Sequence, residues 1–257
     1  MSAPVLGFIG VGELALYTIR GLRHGGYSGK ILLSPRNRDK AAWLAQHLDC
    51  DVLADNQSVV ERSNLVVIAT RPAQCLETLS SLDFRPEQIL ISVVAGMPSA
   101  EIASVLNQSI EIVRAMPVSS AEFSASPTLI FPKNNAVADL FKHCGDVIPV
   151  NDESAFEQGS VHACVYTWFF ALFEELIQAT ESAALPREMA GKLVMGMARG
   201  AAELALAKPD STPGDIGNDI ATDGTYSRLG LDLLEENEAF APWHSACNLL
   251  KQKLDPD

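Results

Sequence analysis

Val5-Leu6-Gly7-Phe8-Ile9-Gly10-Val11-Gly12-Glu13-Leu14-Ala15 begins as an apolar run, breaks at two glycines spaced Gly-x-Gly, and passes at once into a helical pattern. A turn that holds a dinucleotide needs this order. The strand delivers the chain to a tight turn at Gly10, and Gly12 removes a side chain where the backbone must approach a pyrophosphate. Ala15 is small enough to let the helix sit close to the strand. The helix N-terminus then offers unpaired N–H groups and the positive end of its dipole to phosphates. Such turns also occur with no ligand, so the rest of the chain has to supply the context.

Working outward, apolar runs rich in β-branched residues recur at Val5–Gly10, Lys30–Ser34, Asp51–Ala54, Asn64–Thr70, Gln88–Val94 and Glu111–Met116. Helical patterns lie between them, such as Leu14–Leu22 and Lys40–Leu48. Strands alternating with helices predict an α/β domain whose parallel sheet is covered on both faces. Pro127–Pro132 and Asp146–Val150 read as further short strands around a helix at Ala136–Cys144, giving roughly eight strands from pattern alone. After Val150 the character changes. Asn151-Asp152-Glu153-Ser154 supplies capping residues, and a helical pattern runs from about Glu153 to Ala183. Its centre includes Tyr166, Trp168, Phe169, Phe170 and Phe173. A second helix follows Pro186, then a Pro/Gly-rich loop from Lys208 to about Thr225, then one or two final helices. The expected division is a nucleotide-binding domain over 1–150 and an all-helical domain over 151–257. The aromatic helix is buried either in its own core or against a second copy. A homodimer is favoured, because a small helical domain could hardly cover that helix alone.

A chain of 257 residues holds one large or two ordinary domains. No apolar run reaches the roughly 18 to 20 residues of a membrane span, and no signal peptide is expected. The five cysteines are scattered without Cys-x-x-Cys, which argues against a disulfide framework or a metal site and suits a reducing cytoplasm. The net charge of −13 is uneven: residues 1–150 carry 12 basic and 14 acidic side chains, and 151–257 carry 7 and 18. Nucleic acid is an improbable partner for so acidic a second half.

Which dinucleotide is favoured follows from the end of the second strand. An NAD site usually places Asp or Glu there for the ribose 2′-hydroxyl. This chain reads Leu33-Ser34-Pro35-Arg36-Asn37-Arg38, with no carboxylate before Asp39. Guanidinium matches a phosphate dianion with paired hydrogen bonds, so NADP(H) is expected over NAD(H). The fourth strand ends at Ala69-Thr70-Arg71-Pro72-Ala73-Gln74, on the carboxyl edge of the sheet where ligands bind in such folds.

Taken in order, Gly7 to Ala15, Asp55-Asn56, Ala69-Thr70-Arg71-Pro72-Ala73-Gln74, Val94-Ala95-Gly96, Arg114-Ala115-Met116-Pro117 and Leu185-Pro186-Arg187-Glu188 resemble segments of the pyrroline-5-carboxylate reductases. The resemblance spans nearly the whole chain and is strongest over residues 7–117. It implies a Rossmann-type domain followed by a helical domain that dimerises by interleaving. It also implies cofactor contacts from Gly10, Gly12, Glu13 and Leu14 at the pyrophosphate. Ser34, Arg36 and Asn56 would surround the adenosine phosphate, with Asn37 beside them, and Ala69, Thr70, Arg71 and Pro72 would lie along the cofactor.

The second half departs from that family. Val118-Ser119-Ser120 stands where Asn-Thr-Pro is usual, and His162 to Trp168 shares almost nothing with the corresponding helix segment. The substrate loop aligns with Ala221-Thr222-Asp223-Gly224-Thr225-Tyr226-Ser227, so Thr222, Asp223, Gly224 and Thr225 are the expected substrate-binding residues. Asp223 replaces a proline in a loop that elsewhere binds a substrate carboxylate. Reducing a C=N bond needs a hydride and a proton on nitrogen, and the candidate donors are Ser227, Tyr226 and His162. His162 and Tyr226 read equally as packing residues. The expected function is NADPH-dependent reduction of a small cyclic imine acid, pyrroline-5-carboxylate to proline or a close analogue. A diverged paralogue acting on another imine or carbonyl compound, or a non-catalytic NADP-binding protein, are the alternatives.

Overall fold

A computed structural model describes residues 3–254. Its contacts divide into two compact units, one built on residues up to 160 and the other on 161–253.

The first unit is an eight-stranded sheet. Its strands are β1 (Leu6–Ile9), β2 (Ile31–Leu33), β3 (Cys50–Val52), β4 (Leu65–Ile68), β5 (Ile89–Ser92), β6 (Glu111–Met116), β7 (Thr128–Phe131) and β8 (Val147–Pro149). They lie in the order β3-β2-β1-β4-β5-β6-β7-β8. The order reverses beside β1, and a crevice at such a switch point is where open α/β sheets bind ligands. Helices α1 (Glu13–His24), α2 (Arg38–Leu48), α3 (Asn56–Arg62), α4 (Pro72–Ser80), α5 (Ser99–Ser104) and α6 (Asn135–Phe141) connect the strands.

Period-two alternation sorts the strand side chains onto two faces. Leu6 and Phe8 of β1 join Leu65 and Val67 of β4 in one core layer, and Ile9 joins Val66 and Ile68 in the other. All four residues of β4 are at most 3 % exposed, as a central parallel strand covered on both faces requires. Each such side chain contributes about 1.5–3 kcal/mol relative to exposure.

The sheet is not wholly parallel. β7 pairs antiparallel with β6, Arg114 opposite Phe131, although the other pairings are parallel. The connection from Met116 to Thr128 carries only a 3₁₀ turn, Ser119–Phe123, with no crossover helix to bring the chain back in the parallel sense. The strand at 51–54 begins one residue earlier, at Cys50.

The next helix, α7 (Glu153–Thr180), runs unbroken from the first unit into the second. Its first two turns stay with the sheet because a buried ion network holds them. Arg114 on β6 is 1 % exposed, and its Nη1 donates to Glu153 Oε1 at 2.8 Å and to Glu157. Glu153 Oε1 also accepts from the Ser99 N–H and hydroxyl at 2.7 and 2.8 Å. The Arg114 guanidinium lies over the Phe156 ring, 4.5 Å from its centre. Burial pushes the Glu153 carboxyl up, but the Ser99 donors and Arg114 outweigh it and leave the group below its ordinary value.

The second unit holds the rest of α7 with α8 (Arg187–Leu206), α9 (Pro213–Ile220), α10 (Tyr226–Glu236) and α11 (Ala241–Leu254). α9 lies inside the stretch expected to be loop. Pro213 fits a first helical turn, and Thr212 with Asp215 forms a reciprocal capping box, so the Pro/Gly composition starts a helix there. Among the described residues of this unit, the buried apolar side chains are few: Val161, Ile177, Ala190, Ile216 and Ala221. Phe170, Met197 and Leu229 are 54 %, 72 % and 68 % exposed. No helix among the described residues is long and apolar enough to cross a membrane.

Candidate cofactor and substrate sites

β1 ends at Ile9 and turns at Gly10, whose φ of +91° is a conformation that L side chains rarely adopt. A Cβ at Gly10 would stand 2.7 Å from the Ala69 carbonyl oxygen, so the turn is pressed against the end of β4. The Gly10 N–H donates to Ser34 Oγ at 3.0 Å. Asn37 fastens the other side: its Nδ2 donates to the Val11 carbonyl at 2.9 Å, while its Oδ1 caps α2 by accepting from the Lys40 N–H. Two loops distant in sequence are thereby held as one wall.

Gly12 caps α1 with extended backbone and no side-chain cap, and a Cβ built there meets nothing within 4 Å. No side chain caps α1, so its first-turn N–H groups keep the arrangement an anion needs at a helix N-terminus. A cavity of about 720 Å³ opens from this turn. Gly10, Gly12, Arg36, Asn37, Ala69, Thr70 and Arg71, all expected cofactor residues, line it. Arg38, Asp39 and Gln74 also line it and were not singled out as site residues. Three guanidiniums against one carboxylate leave the lining positive, which fits a phosphate-rich ligand. Gln74 closes the Ala69-Thr70-Arg71-Pro72-Ala73-Gln74 segment at the carboxyl edge of the sheet, which is the signal that could have found it.

Five expected cofactor residues do not line the cavity. Ser34 is 1 % exposed and its hydroxyl is engaged by Gly10, so it shapes the turn. Glu13 is drawn into an ion pair with Lys40 of α2. Leu14 and Pro72 begin the helices α1 and α4. Asn56 begins α3 beside the capping Asp55, whose carboxyl is held below its ordinary value by hydrogen bonds from Ser58. Next to Gln74 on α4, burial pushes the Cys75 thiol up, with the Thr70 hydroxyl pulling the other way.

The expected substrate residues lie in the second unit, in the turn between α9 and α10. Thr225 organises it: its hydroxyl donates to the Thr222 carbonyl at 2.7 Å and caps α10 by accepting from the Arg228 N–H. Gly224 supplies the required positive φ, +80°. Thr222 and Asp223 are exposed, and so are Tyr226, at 94 %, and Ser227 in the first turn of α10. Arg228 pairs with Asp232 and Glu235 along α10 and donates to Asn218 Oδ1 of α9 at 3.2 Å, which ties the two helices flanking the turn. His162 is exposed on α7, and among the described residues no hydrogen bond joins it to this turn. Neither Tyr226 nor His162 is a packing residue within the chain.

Comparison with known proteins adds two family matches. Residues 5–96 match the family described as NADP oxidoreductase, coenzyme F420-dependent, and residues 158–253 match the pyrroline-5-carboxylate reductase dimerisation family. A pyrroline-5-carboxylate reductase of Pseudomonas aeruginosa is 25 % identical over 264 residues, covering 98 % of this chain and 96 % of that one. The structure of 1-pyrroline-5-carboxylate reductase from Streptococcus pyogenes superposes with a TM-score of 0.86 at 22 % identity, covering 99 % of each chain. That of Plasmodium falciparum pyrroline carboxylate reductase, with NADP bound, gives 0.85 at 19 % identity over 99 % of this chain and 98 % of that one.

Proposed function

This chain belongs to the pyrroline-5-carboxylate reductase family, and from that premise we propose that it reduces pyrroline-5-carboxylate, or a close cyclic imine acid, to proline or its analogue with NADPH. The observation that carries the reading is the Gly10–Gly12 turn opening into a cavity lined by Arg36, Arg38 and Arg71. When bound, the reduced nicotinamide supplies the hydride.

The chain's own residues do the rest. The α1 N-terminus holds the pyrophosphate, and Arg36 meets the 2′-phosphate. The Thr222–Thr225 turn receives the substrate carboxylate at the capped start of α10. Ser227 or Tyr226, in that same first turn, hands a proton to the imine nitrogen; His162 is the alternative donor. That proton completes the reduction of a neutral imine; a substrate that arrives as the iminium takes up only the hydride, so holding the substrate is the larger part of the work. The expected result is NADPH oxidation by the purified protein with pyrroline-5-carboxylate. Piperideine-type imines with and without a carboxylate serve as comparison.

A second reading, a paralogue for a different imine, is favoured by Asp223, an exposed carboxylate in the turn meant for an anionic substrate. Turnover of the carboxylate-free imine alone establishes that reading and sinks the first.

The protein acts as a homodimer in the cytoplasm. The dimerisation-family match and the uncovered Phe170, Met197 and Leu229 support the homodimer, since a helical unit with so few buried apolar side chains lacks a core of its own. Light scattering should give twice the chain's mass at micromolar concentration; the mass of a single chain would refute it.

A further inference from the structure

We infer that Gln74 is a positioning residue for cofactor selectivity, holding the Arg36 guanidinium across the mouth of the cavity so that it is preset for the 2′-phosphate. The inference deepens the proposed function and rests on its NADPH reading.

Arg36 stands in the loop between β2 and α2, exposed, on a stem with several rotatable bonds. Left to itself, such a side chain gives up much conformational freedom when it closes on an anion. It is not left to itself: Arg36 Nη1 donates to Gln74 Oε1 at 3.1 Å, across 38 residues of sequence. Both residues line the cavity, Arg36 from the loop after β2 and Gln74 from the first turn of α4.

Gln74 is well rooted for this role. It is the third residue of α4, its N–H donates to the Arg71 carbonyl at 2.9 Å, and its neighbour Cys75 is wholly buried. At that helix position Gln commonly turns back to cap its own helix; here its oxygen accepts from Arg36 instead. The chemistry of the amide matters as well. A neutral oxygen orients the guanidinium and uses one of its five donors, leaving the positive charge and the other donors for a dianion. A carboxylate in its place would grip Arg36 more firmly and cancel the charge that reads the phosphate.

The test is direct titration of NADPH and NADH, followed by nicotinamide fluorescence, on the full-length protein and the variants Arg36→Ala, Gln74→Met, Gln74→Glu and Arg36→Ala/Gln74→Met. Gln74→Met keeps the length of the side chain and removes the acceptor. It should weaken NADPH about fivefold and NADH less than twofold. Gln74→Glu should weaken NADPH further still, with NADH unchanged. In the Arg36→Ala background, Gln74→Met should add nothing, because the residue it acts through is gone. Equal losses for both cofactors, or a Gln74→Met effect that survives without Arg36, would overturn the inference. An unchanged NADPH-to-NADH ratio in Arg36→Ala alone would overturn the reading beneath it, so the two failures are told apart. Thermal melting of each variant confirms that it is folded.

Discussion

Gly12→Asp is expected to lose NADPH while keeping its fold. A Cβ at this position meets open space, so the substitution displaces nothing. Asp is also among the best helix N-cap residues, and Gly12 caps α1 without a side-chain hydrogen bond, so melting should be unchanged or slightly raised. The new carboxylate would take the α1 N–H groups that the pyrophosphate needs and would repel it as well. Unit charges about 4 Å apart in a partly solvated site interact by about 4 kcal/mol, on the order of a thousandfold in Kd.

Gly10→Ala should do the opposite to the fold. Its φ of +91° and the Ala69 carbonyl 2.7 Å from the added carbon strain the turn by about 1–3 kcal/mol, and the melting temperature should fall. Paired melting curves and NADPH titrations check both. Unaltered NADPH affinity in Gly12→Asp would remove the glycine turn from the binding site.

The second large effect is at Arg114. Arg114→Met leaves the Glu153 and Glu157 carboxylates together with no cation, Glu157 almost wholly buried. Breaking a buried ion pair from one side costs about 3–5 kcal/mol, which in a chain of this size lowers the melting temperature by roughly 10 °C. Arg114→Met/Glu157→Leu should recover part of that loss, because it removes a stranded charge and fills its space with an apolar group. A double variant no more stable than the single one would show that packing, not charge, sets the cost.

The same network predicts a pH dependence. The Glu153 carboxyl is depressed in the folded protein, so its contribution is fully present above the ordinary carboxylate range and is lost as pH falls through its folded value. Acid unfolding of Ser99→Ala, which loses the hydroxyl donor, should therefore begin at higher pH than that of the parent.

The amino-acid sequence by itself determined what depends on neighbours along the chain. The apolar runs marked all eight strands, the Gly-x-Gly break marked the turn, and the capping residues Asn151 to Ser154 marked the start of α7, whereas the cap at Thr212 went unread inside a stretch taken for loop. Strand, turn and cap are set by backbone sterics and hydrogen bonds that reach only a few residues, so spacing reveals them. The tertiary structure alone decided the antiparallel seat of β7, the burial of Ser34 under Gly10, and the diversion of Glu13 to Lys40. It also decided the Arg36–Gln74 bridge and the Arg114 network. An arginine among strand residues signals that a partner must exist, because a buried charge without one is too costly. Which partner it finds depends on segments brought together by the sheet order, and no local period in the sequence encodes that order.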